Sequence, residues 1–451
     1  MIAPGLDVLP AIDRLFADWA APGRPGGAVA VSWGGNVLHR RGYGLADVET
    51  HTPFRTDHRF AIASLTKQFT AFAVLLLAEQ GRLSLEDCLQ ERFPGSTQVQ
   101  SPITIRQLLN NTSGLRDYIT LGTFAGGRLM TEFNKEEIRA LITAQTAVNF
   151  PPGTRYCYSN TNFVILSWII ENLTGKPLRQ AMSELIFEPL AMKSTSVAEE
   201  LRLLPENAAT GYVGGGDVGF RPWRASIDVS GDGGIWSTLD DLVRWELNFS
   251  NPTVGTTDIL GQLRERPILG DGRRSDYALG LSTGSIGAIE WEGHSGGFDG
   301  YRSFRMRLPA LDLGVIVLAN FTANVQLAAE EIASLFVPYT APLETFAGRY
   351  RSAELASNYD FQALDGQLRL SVSGPQGSLR DLPLVRRGEA VFEPARASRM
   401  RWDLEFDTAF RFESAPQGSV VPRMSFGCEW ASDIVCEREC DGGGPNPSPA
   451  L

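Results

Sequence analysis

The sequence predicts an α+β fold: an antiparallel sheet flanked by helices with a helical subdomain, followed by a small all-β antiparallel barrel. Three observations predict it. Apolar strand-like runs occur near the start of the chain and return from about Ala278 to Asn320. The interval between them is helical and loop-rich, so one sheet is to be assembled from both ends of the segment. Beyond Pro342 only short alternating stretches remain. At 451 residues two domains are the natural division. They are placed at 1–340 and 341–446, with 441–451 (DGGGPNPSPAL) as a disordered tail.

Taken in order, the N-terminal stretch reads as a short amphipathic helix with Leu9, Ile12, Leu15, Phe16 and Trp19 on one side. Gly27 to Trp33 and Val37 to Tyr43, joined by Gly34-Gly35-Asn36, form a predicted hairpin. The strongest helix runs from Ser64 to Gln80 and stops at Gly81. A second spans about Thr161 to Leu173, ending at Gly175 and Pro177. A third starts near Thr238, which can cap it, with Asp240 and Asp241 in its first turn. ALGLST, YRSFRMRL and LGVIVLAN then read as strands, and Val325 to Phe336 as a closing helix. In the last domain Tyr359 and Phe361, then Leu368, Leu370 and Val372, flank the turn pair Asp365-Gly366. Met400, Trp402, Leu404 and Phe406 alternate with charged residues.

Composition excludes several function classes. A net charge of −11 argues against nucleic-acid or anionic-membrane partners, which need clustered positive surface. No apolar run approaches the roughly 20 residues needed to cross a bilayer. The N-terminus lacks a basic stretch followed by an apolar run, so the expected location is the cytoplasm. Five scattered cysteines are no disulfide framework, and Cys428, Cys436 and Cys440 match no common zinc spacing. No metal and no cofactor are expected.

Gly293-His294-Ser295-Gly296-Gly297 satisfies G-x-S-x-G, the pattern of a nucleophile elbow. An elbow needs a helix directly after the serine, and the stretch following Ser295 reads as a turn into a strand. The only histidines are His39, His51, His58 and His294, so none lies downstream of Ser295. The elbow reading therefore fails. Ser64-Leu65-Thr66-Lys67 is different: on a helix the Lys67 ammonium reaches back to the Ser64 hydroxyl. A hydroxyl becomes a useful nucleophile when a neighbouring base takes its proton. For Lys67 to be that base its pKa must fall from about 10.4 to roughly 7–8, which burial and the helix N-terminus both favour. Tyr158, just before a helix start, is expected to have a lowered pKa through the dipole and to relay a proton. Asn160 offers a donor and an acceptor to a substrate amide.

SLTK, YSN and HSG, separated by 94 and 136 residues, resemble the ordered motif set of the penicillin-recognising serine hydrolases. ITIRQLLNNTSGL, PPGTRYCYSN, GGIWSTLDDLVRW and HSGGFDGYRSFRMRLP are similar to that superfamily as well, and the resemblance covers roughly residues 8 to 340. It implies a β-lactamase/DD-peptidase-like fold, with Ser64 as the acylated nucleophile, Lys67 its proton acceptor and Tyr158 the relay. Asn160 would contact Lys67 and the substrate, and Gly297 would supply the second oxyanion N–H. It leaves open whether Lys67 or Tyr158 is the primary base.

Within that superfamily His294 stands where β-lactamases and carboxypeptidases carry a lysine. A largely neutral imidazole is a weaker anchor for a substrate carboxylate. The H-x-G form resembles D-aminopeptidases and D-amino-acid amidases, some of which also carry antiparallel barrels of lipocalin-like form. The leading expectation is a serine amidohydrolase acting on small D-amino-acid amides or peptides with a free amino end. The alternatives are a promiscuous carboxylesterase or weak β-lactamase/DD-carboxypeptidase, and a catalytically idle peptide-binding relative. Asp299 is a candidate acceptor for a substrate ammonium, as is a loop reaching in from the barrel. The expected partner is a small peptide or amide substrate, with neither nucleic acid nor membrane, and a homo-oligomer stays open.

Overall fold

A computed structural model describes residues 8–439 apart from 127–132, 199–202, 216–218, 224–228, 299, 339–340, 365, 389, 395–408, 414–420 and 429–430. The chain forms two compact units, one built on residues 5–285 and 290–329, the other on 330–451 with 286–289.

The larger unit holds a six-stranded sheet. Its strand order is Ser282–Ile286, Ile289–Phe298, Tyr301–Leu308, Leu313–Ala319, Gly27–Trp33, Asn36–Tyr43. The two ends of the segment meet as antiparallel neighbours, Gly27 opposite Ala319 and Trp33 opposite Leu313. The first hairpin closes through Gly34 and Gly35 alone, both at positive φ, and Asn36 already belongs to the strand.

Thr66–Glu79 is buried around its whole circumference from Thr66 to Leu77, as an apolar helix without a polar face must be. It begins two residues later than expected, because Ala63–Leu65 forms a 3-10 turn that carries Ser64. The second predicted helix runs Asn160–Thr174 and ends on Gly175 in the left-handed conformation. Thr238 caps Leu239–Asn248 as predicted, accepting from the Asp241 N–H. Shorter helices at Ile105–Leu109, Tyr118–Phe124, Lys135–Thr143 and Leu178–Met182 make up the helical part.

Three local expectations fail. The N-terminal helix is only Val8–Leu15; Ile12, Phe16 and Trp19 are buried, but Leu9 is exposed. The strand predicted from Ala278 begins at Ser282. Gly280 there has φ +75° and lies so close to the Lys67 carbonyl that a Cβ would sit 2.9 Å from it, a bend no extended strand permits. The closing helix stops at Ser334.

The smaller unit contains a closed barrel of eight antiparallel strands, running from Gly348–Ser352 to Ala431–Arg438. Its interior is filled by side chains such as Tyr350, Phe361, Leu370, Phe392, Phe410 and Met424. Gly366 has the positive φ expected of its turn. Asp365, the Met400–Phe406 alternation and the 441–451 tail lie outside the described residues.

Candidate active site

Ser64 stands at the start of the central helix, directly after Ala63, which is held at φ +49°. A non-glycine residue in this region stores strain of about 1–3 kcal/mol and persists only where its surroundings fix it. Ala63 is fully buried, and the adjoining strand packs against it closely: a Cβ on Gly296 would lie 2.1 Å from the Ile62 carbonyl oxygen. Ser303 also donates to that oxygen, at 2.7 Å. The third motif is thereby pinned beside the first.

Lys67 is completely buried, one helical turn beyond Ser64. Its Nζ lies 3.2 Å from Ser64 Oγ, 2.8 Å from Asn160 Oδ1 and 2.6 Å from the Asp232 carbonyl oxygen. Burial pulls its pKa down to about 8, against the opposing pull of Asp232 and Asp117. A neutral amine has two N–H groups, which Asn160 and Asp232 receive, so its lone pair faces the Ser64 hydroxyl. A protonated amine finds all three acceptors in place. The rings of Tyr158 and Phe163, with centroids 4.8 and 5.5 Å from Nζ, favour the cation further.

Asn160 is itself clamped. Asp117 Oδ1 accepts from its backbone N–H at 2.7 Å and its Nδ2 at 3.0 Å. Asp117 Oδ2 meanwhile caps the Tyr118–Phe124 helix. The Asn160 amide is therefore engaged with protein at both ends, and its oxygen belongs to Lys67.

Tyr158 overturns one expectation. Its phenol pairs with Ser64, but burial drives its pKa up rather than down. The magnitudes explain the sign. A helix end is worth about 2 kcal/mol at most. Full desolvation is worth 3–5 pKa units, or roughly 4–7 kcal/mol. Moreover Ser159 lies between Tyr158 and the first helical residue. The phenol holds its proton.

His294 is buried, its pKa depressed to about 3 by burial and by the Lys67 charge. Nδ1 lies 2.5 Å from the Ser295 carbonyl oxygen and therefore carries the proton. Nε2 then accepts from the Tyr277 hydroxyl at 3.0 Å. With both nitrogens engaged, His294 presents no cation and no free donor. Tyr156 stacks on Tyr277, and Tyr158 meets both Tyr277 and His294 at ring-centroid distances of 6.0 Å.

Ser295 is exposed on the Ile289–Phe298 strand, and another strand follows it instead of the helix that an elbow requires. Gly297 pairs with Arg302. Phe298 pairs with Tyr301 across two residues; the pair closing so short a hairpin is a hydrogen-bonded one, so alternation directs the backbone groups of Gly297 and Ser295 to the opposite edge. The five-residue strand Ser282–Ile286 is too short to cover that edge along all ten residues of Ile289–Phe298. A Cβ on Gly297 would come no closer than 3.7 Å to a neighbour, the Arg302 side chain, so packing demands glycine at 296 and not at 297. The Arg302 guanidinium is tied to the Phe298 and Tyr301 carbonyls.

Other sequence candidates fall elsewhere. His58 is buried and its Nδ1 accepts from the Arg55 N–H; His39 bonds Tyr43. Cys436 is buried in the barrel interior, its thiol pushed up to about 12, while Cys440 and the Cys428 side chain lie outside the described residues. Asp299 does too. Among the described residues no cluster of His, Cys, Asp and Glu is arranged to hold a metal ion, and no helix is long and apolar enough to cross a membrane. Asp117, Tyr118, Asp232 and Tyr277 are site residues that sequence reasoning missed. The one available signal was the glycine setting of Asp232, Gly231-Asp232-Gly233-Gly234.

The Beta-lactamase family model matches residues 12–336. A D-aminopeptidase of Gluconobacter oxydans (strain 621H) is 35% identical over 319 residues, covering 70% of this chain and 60% of that protein. The chain thus spans less than two thirds of the length of this relative. The structure of a D-amino acid amidase from Ochrobactrum anthropi SV3, complexed with D-phenylalanine, is 25% identical with a TM-score of 0.61, covering 73% of this chain and 99% of that one. An octameric penicillin-binding protein homologue from Pyrococcus abyssi matches in fold, at 21% identity and a TM-score of 0.61, over 96% of this chain and 99% of its own.

Proposed function

Because the chain belongs to the Beta-lactamase family, we propose that it is a serine amidohydrolase acting through an acyl-enzyme at Ser64 on small D-amino-acid amides or peptides with a free amino end. The observation that carries this reading is the buried Lys67 amine, aimed at Ser64 Oγ by two other acceptors. Lys67 is the primary base, since the Tyr158 phenol is held protonated by burial.

In this reading Lys67 takes the Ser64 proton as Oγ attacks the substrate carbonyl. The N–H groups of Ser64 and Gly297 receive the oxyanion. The Tyr158 hydroxyl then protonates the leaving nitrogen and is reprotonated from Lys67. Water, activated by the same pair, releases the acyl group.

The neutral, inward-turned His294 supports the substrate class, because its imidazole offers a free carboxylate no cation. The relatives named D-aminopeptidase and D-amino acid amidase support the stereochemistry. A second reading, in which peptides with a free carboxylate outcompete simple amides, has the Arg302 guanidinium beside Gly297 in its favour. The reading keeps residues 1–340 as the catalytic domain and 341–446 as an accessory barrel. It also keeps a cytoplasmic setting, supported by the unpaired thiols Cys88, Cys157 and Cys436. Self-association is part of it, supported by the octameric fold relative.

The test offers D-alanine p-nitroanilide, L-alanine p-nitroanilide, a p-nitrophenyl ester and a chromogenic cephalosporin to the wild type and Ser64→Ala. The D-anilide should be preferred and the variant should fall to background. Full activity in Ser64→Ala would end the mechanism; preference for the ester without D over L discrimination would move the assignment to a carboxylesterase.

A further inference from the structure

The Asp232 carboxylate has no part in the chemistry above, yet its residue touches the base more closely than any other does. Its carbonyl oxygen lies 2.6 Å from Lys67 Nζ. Its carboxylate is buried with it, one oxygen accepting from the Tyr118 hydroxyl and the other from the Ser230 N–H, both at 2.9 Å. Both partners are donors and, with the Lys67 charge, favour the anion, against the burial that pushes the Asp232 pKa up.

The loop around it cannot relax. A Cβ on Gly231 would meet the Phe163 carbonyl at 2.9 Å, one on Gly233 the Phe298 ring at 3.1 Å, and one on Gly234 the Ser230 carbonyl at 2.8 Å. Thr70, one turn beyond Lys67, donates to the Gly231 carbonyl at 2.7 Å. On the other side of the contact Thr66 accepts from the Ile235 N–H at 3.2 Å, so the helix that carries the base and the loop that carries the acid are fastened together on both sides.

We propose that Asp232 is the positioning residue of the general base. Its carbonyl fixes the direction of the Lys67 lone pair, and its buried carboxylate is the counter-charge for the cation formed when Ser64 gives up its proton. The inference rests on Lys67 being the base for Ser64. The groups facing Lys67 are Ser64, Tyr158, Asp117 through Asn160, Asp232 and His294; those facing Asp232 are Lys67, Tyr118 and Tyr158. Of these only Asp232 and Asp117 bring negative charge to Lys67. Removing the Asp232 charge makes the ammonium less stable, so Lys67 loses its proton at lower pH and accepts the Ser64 proton less readily.

A fluorophosphonate reads this without commitment to a substrate: the Ser64 oxygen bonds phosphorus, fluoride leaves, and the serine proton passes to Lys67. Its labelling rate is measured against pH for the wild type, Asp232→Asn and Tyr118→Phe, with near-UV circular dichroism reporting the fold. The wild-type rate should rise to half its maximum near pH 8. In Asp232→Asn the half-rise should move down by about one pH unit or more, with a lower plateau. Tyr118→Phe, which strips a donor that favours the ionised form of the carboxylate and so shifts Asp232 toward the neutral acid, should move it the same way by less. A lowered plateau with an unmoved half-rise in folded Asp232→Asn would reduce Asp232 to a structural role and overturn the inference. Should that variant not fold, an unmoved half-rise in Tyr118→Phe does the same. A wild type that is not labelled at Ser64 removes the mechanism itself, a result distinct from either.

Discussion

The interior of the larger unit buries Lys67, Gln68, Asn111, Asn162, Asp232 and His294 among its apolar side chains. The interior of the barrel is filled by Leu370 and by Phe346, Tyr350, Phe361, Phe392, Phe410 and Phe412, whose aromatic rings pack edge to face at centroid distances of about 5–6 Å. A buried polar group is expensive unless it is bonded, so the first interior must hold each one in a fixed place. The second has only to fill space. What the difference teaches is where rigidity is put to use: around Lys67 every hydrogen bond also sets the direction of a proton.

The sharpest break of that comparison replaces the base with an apolar residue of similar length. Lys67→Met should cut Ser64 acylation by 10²–10⁴-fold, roughly the worth of a general base, and should also lower the denaturation midpoint, because it leaves the buried Asp232 carboxylate without its counter-charge. Phe361→Ala, by contrast, should cost about 3–5 kcal/mol of barrel stability in denaturant titrations. If Phe361→Ala abolishes Ser64 acylation as Lys67→Met does, the two interiors do not follow different rules.

Gly296 and Gly297 give the next contrast. Gly296→Ala drives a Cβ into the Ile62 carbonyl and should shift the strand beside Ser64, losing both stability and most activity. Gly297→Ala meets nothing nearer than 3.7 Å and should keep wild-type stability in the same melting experiment. A smaller effect comes from His294, whose ordinary value of 6.5 falls to about 3 in the folded protein. Below pH 6.5 the unfolded chain binds a proton that the native state refuses until near pH 3, so stability drops as pH falls through that window. The ceiling is on the order of 4 kcal/mol. His294→Gln should flatten the slope between pH 6.5 and 3; an unchanged slope would remove His294 as its source. Least affected should be Ser295→Ala, whose activity should stay within about tenfold of wild type, since a transition-state contact is worth more than that.

Much of this was legible in the sequence. Ser64 and Lys67 are linked by helical spacing, and Gly27–Trp33 and Leu313–Ala319 by their shared strand pattern. The polar frame was not legible. Asp117 bonds Asn160 across 43 residues of sequence, Tyr118 bonds Asp232 across 114 and Asp232 bonds Lys67 across 165, and single polar residues carry no periodicity. The Tyr158 direction failed for a related reason: position near a helix start shows in the sequence, but burial does not. Gly297 attracted notice through its motif, whereas the glycine that packing requires is its neighbour.

The most direct test of the account is the pH dependence of Ser64 acylation in the wild type. A single rise centred near pH 8 is the behaviour of a buried Lys67 amine. A rise centred near pH 6.5, as for an ordinary histidine, or one climbing without a break beyond pH 10, as for an ordinary lysine, would contradict it.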